Sequence, residues 1–186
     1  MIQSEADLRK QLEERLEFER LLADVATSFV GLPADQVDGA IETAQRRIGE
    51  TLGVDRSSLF QFSADGEMIL THSWIASGFQ PFPSQIRARE HFPWALQKTL
   101  QGEIVRFSSV AELPPEAVRD LETIRQHVPK STVVVPLMSD GQVFGGLAFG
   151  TLREERQWTD DLVARLRLVA SLFESALTRK RCEESF

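Results

Sequence analysis

The side chains able to do covalent or metal chemistry are few in this chain and stand far apart. The three histidines are His72, His91 and His127, and the one cysteine is Cys182. Metal sites in sequence show His or Cys in close pairs, and no such spacing occurs here. There is no glycine-rich phosphate loop and no nucleophile elbow. Asp120 and Glu122 come nearest to paired carboxylates, but their spacing on a helix does not aim both at one substrate, so they read as a solvated face. Neither terminal helix carries a His that could accept a phosphoryl group. The chain therefore reads as a binding or relay module and not as an enzyme.

What the sequence does offer is aromatic side chains for a pocket. Ser77 to Arg89, with Gly78, Pro81 and Pro83, reads as a long loop, and a loop of that length inside a domain often covers a site. The loop and the short helix after it supply Phe79, Phe82, Phe92 and Trp94. The strands supply Phe60, Phe62, Trp74 and Phe149. Ligand sites are mostly apolar with a few polar groups, and His72, Arg87, Arg89, His91 or Arg106 are candidates for those. The same aromatics can equally fill a core between sheet and helices, and a His72 flanked by Leu70 and Trp74 suits a hydrogen-bonded core position. Both readings stay open.

The elements that must position these residues centre on KSTVVVPLMSDGQVFGGLAFGTL, Lys130 to Leu152. Val133 to Val135 is a β-branched run suited to a strand buried on both faces, and Ser139-Asp140-Gly141 supplies turn chemistry. The second strand alternates in bulk. Val143, Leu147, Phe149 and Thr151 share one face; Gly146, Ala148 and Gly150 leave the other nearly bare, open to close approach by another element or a ligand. Pro136 cannot donate to a ladder and marks a bulge or a break. An earlier hairpin spans Arg56 to Ala76 about the turn Ala64-Asp65-Gly66, with Leu59 and Gln61 on one face and Phe60 and Phe62 on the other. In its partner strand the period predicts one shared face for Met68, Leu70, His72 and Trp74. A short strand follows at Ile104 to Phe107.

Helices surround these strands. Ser4 caps a helix to Phe29, narrow at Leu8, Leu12 and Leu16 and broad from Phe18 to Phe29. Val37, Ile41, Ala44, Ile48 and Leu52 mark the next, ending at Gly53. HFPWALQKTLQG gives a short helix, and Val118, Leu121, Ile124 and Val128 stripe another. Thr159 caps the last, with Leu162, Leu166, Val169, Phe173 and Leu177 inward and Leu168 and Leu172 offset. No breaker follows, so the helix is expected to run on.

Composition bounds the rest. A chain of 186 residues with 42% hydrophobic residues can bury one sizeable core. A net charge of −7 without a basic aromatic patch excludes nucleic acid as an expected partner. A single cysteine allows no internal disulfide and points to a reducing cytoplasm. No apolar run approaches the ~20 residues needed to span a bilayer, and the charged N-terminus lacks a signal peptide's apolar stretch.

In this order, GVDRSSLFQFS, KSTVVVPLMSDGQVFGGLAFG and WTDDLVARLRLVASLFESAL resemble a GAF domain of the kind found in bacterial sensor histidine kinases. The resemblance covers roughly Phe18 to Leu177, and its marks are Pro136 ending a strand, the turn, and Gly145-Gly146-Leu147. It implies an α+β, profilin-like fold: a five- or six-stranded, mainly antiparallel sheet with helices on both faces and long N- and C-terminal helices. Residues 1–30 would be a signalling and dimerisation helix, 31–157 the GAF core, and 158–186 a helix continuing as a linker to a further domain. The implied role is sensory or regulatory, by small-ligand binding or by relay through the terminal helices, with a ligandless dimerisation module as the alternative.

The resemblance also frames the cofactors. With no Asn, the Asn-Lys-Phe-Asp-Glu constellation of cyclic-nucleotide GAF domains is absent. GAF-fold methionine sulfoxide reductases need cysteines that exchange disulfides. Phytochrome-type GAF domains attach a bilin to a cysteine in or just ahead of the pocket; Cys182 lies at the opposite end, which argues against covalent bilin. Haem through His72, His91 or His127 stays open. A parallel homodimer is expected through Leu8, Leu12, Leu16, Leu168 and Leu172, because exposed apolar stripes mark interfaces and a two-fold axis lets one patch satisfy itself.

Overall fold

The computed structural model describes residues 2–127 and 129–185. Six strands, β1 (Arg56–Phe62), β2 (Met68–Ile75), β3 (Gln85–Ile86), β4 (Val105–Phe107), β5 (Ser131–Ser139) and β6 (Gln142–Thr151), form one sheet in the order β3-β2-β1-β6-β5-β4. Every neighbouring pair is antiparallel. β5 and β6 are joined through Asp140 and Gly141, with φ angles of 53° and 76°. Two positive angles make the turn that matches the twist of a hairpin, hence Asp-Gly at this point. β3 falls inside the segment expected to be loop; two residues are too few to show a period.

Pro136 does not end β5. It stays in register with Gly146, and the irregularity falls one step later, between Leu137 and Met138. β4 pairs only with Thr132 to Val134, so β5 is an edge on that side at Pro136 and tolerates a residue without an N–H.

The helices are α1 (Glu5–Ser28), α2 (Val37–Leu52), α3 (Ala88–His91), α4 (Pro93–Leu100), α5 (Val118–His127) and α6 (Asp160–Glu184). The Ser4 and Thr159 hydroxyls accept from the N–H groups of Asp7 and Leu162, capping α1 and α6. Gly53, at φ 70°, terminates α2. Val118 is exposed, and Val128, the last residue expected on the α5 stripe, lies outside the described residues.

α1, α2 and α6 cover one face of the sheet. Phe18 and Val25 of α1, Ile41 and Ile48 of α2, and Leu166 and Phe173 of α6 close on Leu59, Val133 and Leu147, all buried. Each such side chain contributes about 1.5–3 kcal/mol on leaving water, so this face holds the fold together. α1 runs parallel to α6, with Arg15 beside Asp161, Arg165 donating to Glu19, and Phe29 against Phe173. The first turns of α1 reach past the start of α6, leaving Leu8, Leu12 and Leu16 half or more exposed, at 50%, 62% and 51%. Leu168 is exposed too, whereas Leu172 packs partly against the core.

One irregularity decides which residues face where. β1 and β2 shift register between Leu59 and Phe60: Leu59 pairs with His72, but Phe60 pairs with Leu70. The extra residue, Thr71, is a bulge, and a bulge inverts side-chain parity along the strand. Met68 and Leu70 therefore face α3–α5, while His72 and Trp74 face α2. The four do not share a face.

Candidate ligand-binding cavity

Between the sheet and α3–α5 lies a cavity of about 120 Å³. Alternation on β1 sends Arg56, Ser58, Phe60 and Phe62 into it; Met68 and Leu70 come from β2, Val105 and Phe107 from β4, Thr132 and Val134 from β5. Gly150 and Ala148 of β6 form the bare floor, while Phe60 lies over the third small residue, Gly146. The bare face thus serves two purposes, one against a side chain and one against open space. Phe82, Phe92, Leu96, Ile124 and His127 close the cover.

The cover is tied down by one carboxylate. Asp120 on α5 accepts from the Trp94 and Ala95 N–H groups at 3.0 and 2.9 Å, capping α4 from a neighbouring helix. At 1% exposure Asp120 is not the solvated residue expected, and burial raises its carboxyl above the ordinary range despite those bonds. The Thr123 hydroxyl donates to the His91 carbonyl and joins α5 to α3.

Of the residues expected in a pocket, Phe60, Phe62, Phe82 and Phe92 line it. Phe149 borders it, but its alternation sends the ring into the core with Leu147. His72 and Trp74 are on the opposite face through the bulge. His72 bonds Asp38 of α2 at 2.7 Å and Thr71 at 2.8 Å, and the Trp74 ring occupies the place where Gly49 of α2 has no Cβ. Arg106 also points away, donating to the Trp158 carbonyl and to Asp160. Phe79 sits under Arg153, His91 beside Arg119, and Trp94 at the start of α4, none of them lining the cavity. Arg87 pairs with Glu90, and Arg89 lies by Gly66. Among the described residues no cluster of His, Cys, Asp or Glu could hold a metal.

Sequence reasoning misses Arg56, Ser58 and His127 as a set. A signal for two of them is present: Phe60 and Phe62 extended backwards with period two give Ser58 and Arg56. The Arg56 guanidinium lies over the Phe82 ring at 5.0 Å, and the Phe82 and His127 rings meet at a 49° tilt with centroids 5.0 Å apart. Burial pushes Arg56 down to about 10. Burial, then the Arg56 charge and His91, hold His127 below its ordinary value.

Known structures share this architecture. A phycocyanobilin-bound GAF domain from a cyanobacterial phytochrome is 18% identical with a TM-score of 0.75, covering 89% of this chain and 96% of its own. The phycoerythrobilin-bound GAF domain from a cyanobacterial phytochrome scores 0.74 at 17% identity, covering 89% and 96%. A far-red absorbing dark state with bound biliverdin scores 0.72 at 17%, covering 87% and 99%. Among curated proteins none matches. These neighbours count against the expectation that covalent bilin is unlikely, which rested on the position of Cys182 alone: the same fold in these proteins is bilin-bound. The GAF domain model matches residues 36–177, more than half of the chain, and with the sheet order and helix placement above it assigns this chain to the GAF domain family.

Proposed function

We propose that this GAF domain is a sensory module whose cavity takes up a small, mainly apolar ligand and relays its presence to α1, α2 and α6. The observation that carries the reading is the cavity itself. Its walls are almost wholly apolar, so a ligand that fills the 120 Å³ gains by burying its own apolar surface against them. β1 then links the two faces: Ser57 and Leu59 pack towards α2 while Ser58 and Phe60 wall the cavity. The domain itself would bind and not catalyse, within a cytoplasmic signalling protein such as a sensor histidine kinase. Native mass spectrometry of purified protein, with a thermal melt in toluene, tests this. A retained small molecule or a raised melting temperature supports it; neither one defeats it.

A bilin is the second reading, favoured by the bilin-bound neighbours. The wall chemistry suits a tetrapyrrole in kind, with Phe60, Phe62 and Phe92 for its rings and Arg56 for a carboxylate. The volume of about 120 Å³ is below the roughly 300 Å³ at which ligand pockets begin, so α3 and α4 would have to draw back. When bound, such a group supplies visible-light absorption. Co-elution of biliverdin or phycocyanobilin absorbance with the protein is the expected outcome under this reading, and clean separation counts against it.

We further propose a parallel homodimer through α1 and α6, motivated by the exposed Leu8, Leu12, Leu16 and Leu168. It serves either the sensor or a ligandless dimerisation module.

A further inference from the structure

The cavity carries an unbalanced charge in an apolar setting, and its location is defined by the sheet. One cross-strand row runs through Arg56 of β1, Gly150 of β6 and Thr132 of β5. All three border the cavity. Strands are spaced about 4.8 Å apart, so the side chains of Arg56 and Thr132 rise on either side of a bare glycine. A Cβ placed on Gly150 would meet only the Ser131 carbonyl oxygen at 3.5 Å and the Thr132 Oγ1 at 3.7 Å. Small groups can approach the floor there.

Among the described residues no carboxylate pairs with the Arg56 guanidinium and no side-chain hydrogen bond is made by Arg56, Ser58 or Thr132. The other arginines near the sheet differ. Arg153 grips Asp55 twice, Arg106 holds Asp160, and Arg165 holds Glu19 and Asp161. The Arg56 guanidinium is half-buried among rings with no anion beside it, and its planar fork fits a carboxylate through two parallel bonds. The remaining walls are rings and aliphatic chains, and the volume limits the apolar body. At about 120 Å³ the cavity is of the same order as a closed cavity that takes a benzene, roughly 150 Å³, and it is partly open at its mouth, so a single ring with a small polar group is the largest body it suits.

Resting on the proposal that the cavity is a ligand site, we infer that it recognises a small monocarboxylate with a compact apolar body: the carboxylate bridges Arg56 and the Thr132 hydroxyl over Gly150, and the body lies among Phe60, Phe92 and Leu96. Phe82, in contact with both Arg56 and His127, closes over the charged end. The arrangement selects for charge at one end and for bulk at the other. Neutral molecules of the same shape fill the body site but leave the guanidinium unmet.

The test is isothermal calorimetry with three probes of one shape, toluene, benzamide and benzoate, on the full chain. Benzoate is expected to bind at least about tenfold more tightly than benzamide, the minimum for a charge-assisted pair. Arg56→Gln should remove that preference while toluene still binds, and Arg56→Lys should restore only part of it. Gly150→Val, which adds bulk to the floor without touching charge, should weaken benzoate and leave the melting temperature of the free protein close to that of the unmutated chain. Arg56 has no ion pair to lose, so the free Arg56→Gln protein should melt close to the unmutated chain, and a folding failure of that variant counts against the inference. Equal binding of benzoate and benzamide overturns the carboxylate assignment and leaves the ligand cavity standing. Binding of none of the three overturns both.

Discussion

Gly145 and Gly146 are neighbours on β6, and the structure assigns them different tolerances. A Cβ on Gly146 would stand 2.5 Å from Cζ of Phe60, the far end of a ring that can turn. A Cβ on Gly145 would collide with the Phe60 carbonyl oxygen and stand 3.1 Å from the Gln61 Cα, both backbone. Backbone can yield only if β1 separates from β6, and β1 is bonded to β2 on its other edge. We therefore expect Gly146→Ala to cost about 1 kcal/mol and Gly145→Ala about 3 kcal/mol or more, at the upper end of overpacking. For a chain of this size 1 kcal/mol moves the melting temperature by about 2–4 °C, so the two variants should melt roughly 3 °C and roughly 6–12 °C below the unmutated protein. The assay is a calorimetric melt of each variant alone and with Phe60→Leu. The Phe60→Leu change removes the ring atoms that the methyl group introduced by Gly146→Ala would meet, so combining the two should recover the cost of the glycine change. It should recover nothing for Gly145→Ala, whose clash is with main chain. Melting of Gly145→Ala within about 2 °C of the unmutated protein, or its rescue by Phe60→Leu, would refute the close approach of β1 and β6.

Other outcomes follow from the same geometry. Burial acts to raise the Asp55 carboxyl, but bonds from the Leu152 and Arg153 N–H groups and from the Arg153 guanidinium outweigh it and hold Asp55 below the ordinary range. A depressed folded value stabilises fully above the unfolded pKa near ~4 and is lost as pH falls through the folded value. Asp55→Asn should thus cost about 2 kcal/mol in urea at pH 7 and much less at pH 3; an equal cost at both would sink the argument. For His127, a carboxylate on Arg56 cancels the cation that helps depress it, so benzoate should raise its pKa and bind more weakly as pH rises through the window between free and bound values. Proton NMR of the imidazole reads this directly, and an unmoved titration with benzoate bound contradicts it. Asp120→Ala should cost about 1 kcal/mol as a lost cap and speed amide exchange at Trp94 and Ala95, while exchange in α6 stays unchanged. In sedimentation equilibrium the unmutated protein should be a dimer and Leu12→Glu with Leu168→Glu a folded monomer; a monomeric unmutated protein at high micromolar concentration removes the dimer.

Where local chemistry decides, the chain is readable from its residues. Asp140-Gly141 gives a turn with two positive φ angles because few other residues accept them, and Ser4, Thr159 and Gly53 mark helix ends through bonds that lie within one turn. The small residues of β6 announce a close approach, though not that Phe60 takes one place and open space the others. What cannot be read is whatever depends on a partner distant in sequence. Asp120 looks solvated on its own helix because its partners, the Trp94 and Ala95 N–H groups, come from a helix on the far side of β4 in the chain.

The bulge at Thr71 is the clearest case, and it governs the site. Nothing in MILTHSWI breaks the alternation of bulk, so period two puts His72 and Trp74 with Leu70. The inversion is set by what waits on the far face. Gly49 leaves room on α2 for the Trp74 ring, Asp38 on the same helix meets His72 at 2.7 Å, and Lys180 of α6 meets Asp38 at 2.6 Å. A polar imidazole and an indole turned into the cavity would have filled it and displaced the apolar wall of Met68 and Leu70. With the bulge, the same strand builds the wall with its first half and anchors α2 with its second. Gln45 of α2 completes the joint by donating to Ser57 of β1 at 3.2 Å and to the His72 carbonyl at 3.3 Å. The strands that wall the cavity are thus bonded directly to the helices of the opposite face. A displacement of β1 or β2 must strain bonds to α2, and through Asp38 and Lys180 to α6.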